Sequence, residues 1–118
     1  NKYKGGEILK KIPRNQKKPI SGASVANGSY FNLIRESLYA PCSTICQMHG
    51  NASAAGSCHP TEDRKFTIAE LKRITSVPDD FVLTGTFAQR WERLGRMVPP
   101  IMMREISRTI KENILDKL

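Results

Sequence analysis

The chain has 118 residues, enough for one domain or for part of one. Hydrophobic residues make up only 39% of it and there is a single tryptophan, so we expect a modest core. The net charge is +8, and no run of about 18 apolar residues is present, so a transmembrane helix and a membrane partner are not predicted.

The positive charge is concentrated near the N-terminus. Residues 1–20 carry a net charge of +6, because seven lysines and arginines there are opposed by Glu7 alone. A basic arm on a nearly neutral body is typical of a protein that binds a polyanion, usually DNA or RNA. The alternative is a solvated terminus without a ligand, and the charge pattern favours neither of the two.

The first half of the chain, residues 1–60, has the composition of loops and turns, with much glycine, serine, asparagine and proline. Two fragments, SYFNLI and STICQM, mix β-branched or aromatic residues with polar ones, which predicts two short strands. The stretch from Gln47 to Pro60 has no helical period and is predicted to be a loop.

The three cysteines raise the question of a metal site. An odd number does not make a disulfide framework, and free thiols fit a reducing compartment. Cys42, Cys46, Cys58 and His59 leave zinc as an alternative. Cys58 and His59 are adjacent, however, whereas paired zinc ligands are usually separated by about two to four residues, so we predict ordinary thiols and no metal.

The second half, residues 61–118, has the pattern of three short helices. Thr67 with Glu70, and Thr86 with Gln89, have the spacing of a capping box, in which each threonine begins a helix. These two boxes predict the starts of the first and second helices.

Glycine and proline predict the remaining helix boundaries. Pro78 is predicted to end the first helix, and Gly95 to follow the second as its left-handed cap. Pro100 suits the first turn of the third helix. That helix carries an apolar stripe, which we expect a larger body to cover because the rest of the chain offers little core; the stripe consists of Met103, Ile106, Ile110 and Ile114.

Several short motifs, in order, resemble the C-terminal part of DNA cytosine-5 methyltransferases. APCSTICQMHGN is similar to the Pro-Ser-x-Thr-Ile element near the end of that family's target-recognition region, and CHPTEDRKFT to the His-Pro bridge that follows it. The family's final Gly-Asn-x-Val-Pro-Pro turn is represented by Gly95 to Pro100. Between them the resemblance rests on Arg64, Phe66-Thr67, Glu70, Arg73 and Pro78-Asp79, and altogether it covers roughly residues 30–115.

The resemblance implies S-adenosyl-L-methionine as cofactor. In that family the glycine turn lies beside the cofactor, and the last helix packs into the cofactor-binding domain. The implied cofactor-binding residues are Gly95, Arg96, Met97 and Val98. Arg96 stands where the family has asparagine, so its role departs from the pattern.

The same resemblance implies that the catalytic residues lie elsewhere. The family's Pro-Cys-Gln and Glu-Asn-Val motifs do not occur in this sequence. Cys42 follows a proline but lacks the glutamine and a basic setting, so we predict no catalytic residue in this chain. The predicted fold is therefore α+β: a loop-rich recognition segment with short strands (1–60), then three short helices (61–118), incomplete without a larger α/β catalytic domain or subunit.

The recognition segment implies double-stranded DNA as a partner. Basic residues would bind phosphates, and polar side chains near the Thr-Ile element would face base edges. The predicted DNA-binding residues are Lys10, Lys11, Arg14, Lys17, Lys18, Arg35, Thr44, Gln47, His49 and Asn51. The resemblance thus implies part of a cytoplasmic restriction-modification enzyme of bacterial or phage origin; the alternative is a DNA-binding module that has lost catalysis.

Overall fold

A computed structural model describes residues 18–19, 33–50 and 56–118 of the chain. These residues form short strands, a 3₁₀ turn and helices joined by loops, which confirms the predicted α+β class. The strands β1 (Lys18–Pro19), β2 (Leu33–Arg35) and β3 (Gly56–Cys58) make one sheet. In it β2 is central, antiparallel to β1 and parallel to β3.

The sheet differs from the predicted strands in two places. β2 overlaps the SYFNLI fragment, but STICQM is not a strand, since residues 41–46 are irregular and the 3₁₀ turn Gln47–Gly50 follows them. β3 lies inside the predicted loop. Its sequence, Gly-Ser-Cys, contains no β-branched or aromatic residue, and its extended form comes from pairing with β2.

Both predicted helix starts are confirmed. Helix α1 spans Ile68–Ile74 and helix α2 spans Phe87–Arg96, each preceded by a threonine N-cap. In the first box the amide of Thr67 donates to Glu70 Oε2 at 2.7 Å, while the Glu70 amide donates to Thr67 Oγ1 at 3.2 Å. Thr86 and Gln89 make the same reciprocal pair, so two amides at each helix start are satisfied.

The predicted helix ends were wrong. Helix α1 ends at Ile74, four residues before Pro78, because Ser76 adopts a left-handed conformation with φ 58°. The amide of Val77 then donates to the Lys72 carbonyl at 2.7 Å, which closes the helix in the manner of a Schellman motif. Helix α2 continues through Gly95 to Arg96, so Gly95 is a helix residue and not a cap.

The third helix, α3, spans Pro100–Asn113 and begins at the predicted proline. The main core lies between α1 and α2. Its buried residues are Phe66, Leu71, Val77, Trp91 and Leu94, and partly buried residues including Cys42, Ile45 and Met97 pack against them. None of the residues of α3 is buried.

Candidate recognition and cofactor-facing site

Two glycines allow the 3₁₀ turn to lie directly against helix α2. A Cβ atom on Gly95 would stand 2.5 Å from the backbone nitrogen of Gln47 and 2.7 Å from its Cα. A Cβ on Gly50 would stand 2.5 Å from Trp91 Cβ. Because real Cβ atoms do not approach other atoms so closely, both positions need glycine for this packing.

Trp91 lies at the centre of this contact. It is fully buried, and its indole Nε1 donates to the Cys46 carbonyl at 3.0 Å. The Phe87 ring lies 5.7 Å away, centroid to centroid, and Lys65 Nζ stands 5.6 Å from the indole centroid. Lys65 also donates to the carbonyl of His49, so the 3₁₀ turn is bonded at both of its ends.

This packing gives Gly95 a contact within the chain. In the direction of its missing side chain lies the backbone of Cys46 and Gln47. Gly95 therefore takes part in internal packing, and its predicted place beside a cofactor stays a prediction.

The other three candidates of the turn remain at the surface to different degrees. Arg96 is exposed; its Nε donates to Gln47 Oε1, and its Nη2 lies 2.9 Å from Glu92 Oε1. Met97 packs against the core, while Val98 is 51% exposed. The turn thus presents one arginine and one apolar side chain just before α3.

The start of α3 offers few free amides to a negatively charged group. Pro99 and Pro100 have no N–H, and the Ile101 amide donates to Ser76 Oγ at 3.2 Å. The helix start therefore lacks the cluster of free donors that usually makes such a position an anion site. The positive charges near this helix start belong to the exposed side chains of Arg96, Arg104 and Arg73.

The predicted base-contacting residues that the structure describes differ in how exposed they are. Thr44 and Gln47 are exposed, although Gln47 already accepts a hydrogen bond from Arg96. His49 is half-buried, and its ring atoms lie against Gly56. Burial, and then the nearby charge of Lys65, lower the pKa of His49, which favours the neutral ring. Asn51 lies outside the described residues.

Arg35 is not available to a phosphate in this structure, which corrects its predicted role. Its side chain is buried; Nη2 donates to Asp63 Oδ1 at 2.5 Å and Nη1 to the His59 and Glu62 carbonyls. A buried guanidinium with these partners ties β2 to the segment after β3. The side chains of Lys10, Lys11, Arg14, Lys17 and Lys18 lie outside the described residues.

Arg64 and Glu70 form an ion pair at the start of α1. Arg64 makes two hydrogen bonds to the Glu70 carboxylate, at 2.8 and 2.9 Å, and it also bonds Glu62. Arg73 pairs with Asp79. The hydrogen bonds from Arg64 and then from Thr67 lower the pKa of Glu70 from its ordinary 4.5 to about 2, and those from Glu70 and Glu62 raise the pKa of Arg64.

We expect this ion pair to make stability depend on pH. The lowered pKa of Glu70 means that its contribution is fully present above pH 4.5 and is lost as the pH falls towards about 2. In Glu70→Gln the amide can keep the capping box but not the charge, so the free energy of unfolding should vary less over that range. Urea unfolding between pH 2 and 6 measures this, with Glu112→Gln as control; equal slopes for Glu70→Gln and the wild type would contradict it.

Helix α3 presents the predicted apolar stripe to solvent. Its four side chains, each between 41% and 54% exposed, are Met103, Ile106, Ile110 and Ile114. In a small domain such residues are usually covered, and a contiguous exposed stripe marks an interaction surface.

Within residues 33–50 and 56–118, no group of three or more histidine, cysteine or acidic side chains could hold a metal ion. The described helices include none that is long and apolar enough to cross a bilayer. Sequence reasoning missed the contact of the 3₁₀ turn with α2. A glycine inside an amphipathic helix was the available signal for it.

Comparison with known proteins places these motifs in one family. Residues 1–112 match the family model described as C-5 cytosine-specific DNA methylase. Because this match covers nearly the whole chain, the chain belongs to the C-5 cytosine-specific DNA methylase family.

Three relatives illustrate the similarity. M.MJ0563P of Methanocaldococcus jannaschii, whose name assigns it to the type II methyltransferases, is 43% identical over 56 residues, 48% of this chain and 18% of that protein. The type II methyltransferase M.Eco47II of Escherichia coli is 31% identical over 61 residues, 52% and 14% of the two chains. DNA (cytosine-5)-methyltransferase 2 of Arabidopsis thaliana is 34% identical over 58 residues, 48% and 4%.

The chain spans less than a fifth of the length of each of these relatives. No solved structure matches it.

Proposed function

We propose that this chain is the C-terminal part of a DNA cytosine-5 methyltransferase. In this proposal it contributes DNA target recognition and the cofactor-side last helix. The remainder, in the same polypeptide or in a separate subunit, supplies the cysteine nucleophile and the catalytic glutamate. The reaction is transfer of the methyl group of S-adenosyl-L-methionine to carbon 5 of cytosine in double-stranded DNA, within a restriction-modification system.

The observation that carries the proposal is the uncovered stripe of α3. The family match assigns the chain to methyltransferases, and the chain spans only a small share of its relatives' length. A helix of 14 residues with no buried side chain needs another surface to complete its packing. In an enzyme of this family, the catalytic part is the body that would cover the stripe.

In this proposal the two roles, DNA recognition and packing on the catalytic part, belong to consecutive segments of the chain. Residues 1–60 contain the basic arm and the element that resembles the end of a target-recognition region, so they face DNA. Residues 61–118 contain the helices and pack on the catalytic part. The two segments are joined by the packing of the 3₁₀ turn on α2 and by the bonds of Arg35 to Asp63.

The cofactor fits the surface before α3 in one respect. S-adenosyl-L-methionine carries a carboxylate, and the exposed guanidinium of Arg96 is a suitable partner for it. Val98 gives an apolar surface next to that charge. Most of the cofactor-binding surface lies in the missing part, and the cofactor itself supplies the methyl group.

Labelled methyl transfer tests the proposal. The chain is combined with a separately prepared catalytic part that carries the nucleophile, and duplex DNA is digested to nucleosides after the reaction. We expect the label in 5-methyl-2′-deoxycytidine only when both parts are present. DNA binding without any methyl transfer would instead support the alternative, a DNA-binding module that has lost catalysis.

A further inference from the structure

The presence of glycine at position 95 needs a physical reason. Glycine is less favourable than alanine inside a helix, and Gly95 lies in the last turn of α2 without a left-handed conformation. Its bare face is filled by the backbone of Cys46 and Gln47. The glycine therefore exists for the approach of the 3₁₀ turn, since an alanine would require that turn to move away.

Residues on both sides of the contact hold the 3₁₀ turn against α2. Gly50, at the other end of the 3₁₀ turn, is buried and lies against Trp91. Trp91 is buried as well, and its indole N–H donates a hydrogen bond to the Cys46 carbonyl. A displacement at Gly95 therefore moves the turn Gln47–Gly50 as a unit rather than one side chain of it.

The contact stands where two functional surfaces meet. Gly95 directly precedes Arg96, Met97 and Val98, the residues of the cofactor-facing turn, and it touches the backbone of Gln47, a candidate for DNA contact. The two are in direct contact through Gly95 and the backbone of Gln47. Their relative position is set by how closely the 3₁₀ turn packs on α2.

We infer that Gly95 and Gly50 are positioning residues for DNA recognition, which fix the 3₁₀ turn relative to the cofactor-facing turn. This inference rests on the proposed function. It assigns to Gly95 an effect on DNA discrimination, whereas the family resemblance implies an effect on cofactor binding. Gly50 has the same effect although it lies outside the cofactor-facing turn.

Tryptophan fluorescence of the chain tests the contact itself. Trp91 is the only tryptophan, so its emission reports on this packing. In Gly95→Ala and Gly50→Ala the added methyl group separates the turn from α2 and admits water to the indole, and we expect a red shift with unchanged helical circular dichroism. Glu92→Ala, which removes only an exposed ion pair of the same helix, is the control. An unshifted emission in both glycine variants, or unfolding of both, would overturn the inference.

Discrimination by the complete methyltransferase tests the role. The preferred site is first identified by sequencing DNA methylated by the wild type. The preference is the ratio of the methylation rate at that site to the rate at a site changed at one base pair. We expect this ratio to fall about tenfold in Gly95→Ala and in Gly50→Ala, which is the discrimination that one base pair typically contributes. Their affinity for S-adenosyl-L-methionine, measured without DNA, should change less than about twofold, which is under 0.5 kcal/mol.

The outcomes separate the two proposals. A wild-type enzyme that transfers no methyl group overturns the proposed function. An active wild type combined with a Gly95→Ala variant that loses cofactor affinity and keeps its discrimination overturns the inference alone. Loss of discrimination in Gly95→Ala but not in Gly50→Ala also overturns it, because the two glycines serve one contact.

Discussion

Replacing Trp91 with alanine is expected to lower the free energy of unfolding by about 3–5 kcal/mol. The side chain is fully buried in the core between α1 and α2. Its removal leaves a cavity that Leu71 and Leu94 line from the same cluster, and it also takes away the donor to the Cys46 carbonyl. Because the total stability of a small domain is about 5–15 kcal/mol, this loss is a large part of it.

Trp91→Phe separates the two contributions. Phenylalanine keeps most of the buried apolar surface but cannot donate to the Cys46 carbonyl. We expect it to cost about 1–3 kcal/mol, from the loss of this part-buried hydrogen bond together with a smaller cavity. Phe87→Ala, at a side chain that is 39% exposed, should cost less than Trp91→Ala. Urea unfolding followed by circular dichroism measures all three. A Trp91→Ala protein as stable as Phe87→Ala would show that the indole is not the centre of the core.

A second large effect is expected at the apolar stripe of α3. The double variant Ile106→Asp with Ile110→Asp should bind the catalytic part at least about a hundredfold more weakly. Full burial of an exposed isoleucine contributes about 1.5–3 kcal/mol, and Ile106 and Ile110 are 41% and 45% exposed, so covering both contributes about 1.3–2.6 kcal/mol. The aspartates would in addition place two unpaired charges in the interface, which brings the loss above the roughly 2.8 kcal/mol of a hundredfold change. Titration of labelled chain with the catalytic part measures the affinity.

The same variant should leave the isolated chain as stable as the wild type, because neither isoleucine is buried in it. Arg108→Asp also makes the net charge two units more negative, at an exposed position about 160° around the helix from both isoleucines, and serves as the control. Normal binding by the double variant would remove the stripe from the interface. Destabilisation of the isolated chain would show that its own residues cover the stripe.

The features that were predictable from the sequence are those set by neighbouring residues. Thr67 with Glu70 and Thr86 with Gln89 form capping boxes because all their partners lie within one helical turn. The stripe of α3 was also predictable, since helical spacing alone places its residues on one face. The family followed from short motifs in a fixed order.

The features that were not predictable depend on residues far apart in the chain. Trp91 and Cys46 are 45 residues apart, so the reason for a glycine at position 95 is visible only once the 3₁₀ turn has packed on α2. Arg35 was predicted to bind phosphate as one of the basic residues of the recognition segment. Its carbonyl partners and Asp63 are brought to it by the parallel pairing of β2 with β3.

The end of α1 could be predicted from the sequence only in part. Pro78 does mark the region where the helix stops, because proline restricts the residue before it. The helix ends earlier than Pro78, because Ser76 adopts a left-handed conformation. In other helices the residue at this position is commonly a glycine. The serine hydroxyl accepts the amide of Ile101, so the boundary is fixed by a contact with α3 that no local pattern encodes.

Methyl transfer by separately prepared parts tests the central claim most directly, namely that this chain completes a DNA cytosine-5 methyltransferase through the stripe of α3. The account predicts that the catalytic part and the wild-type chain transfer label to duplex DNA together and not separately. It also predicts that the chain with Ile106→Asp and Ile110→Asp does not restore transfer when both parts are dilute. Full activity of the catalytic part without this chain, or equal activity with the double variant, would contradict it.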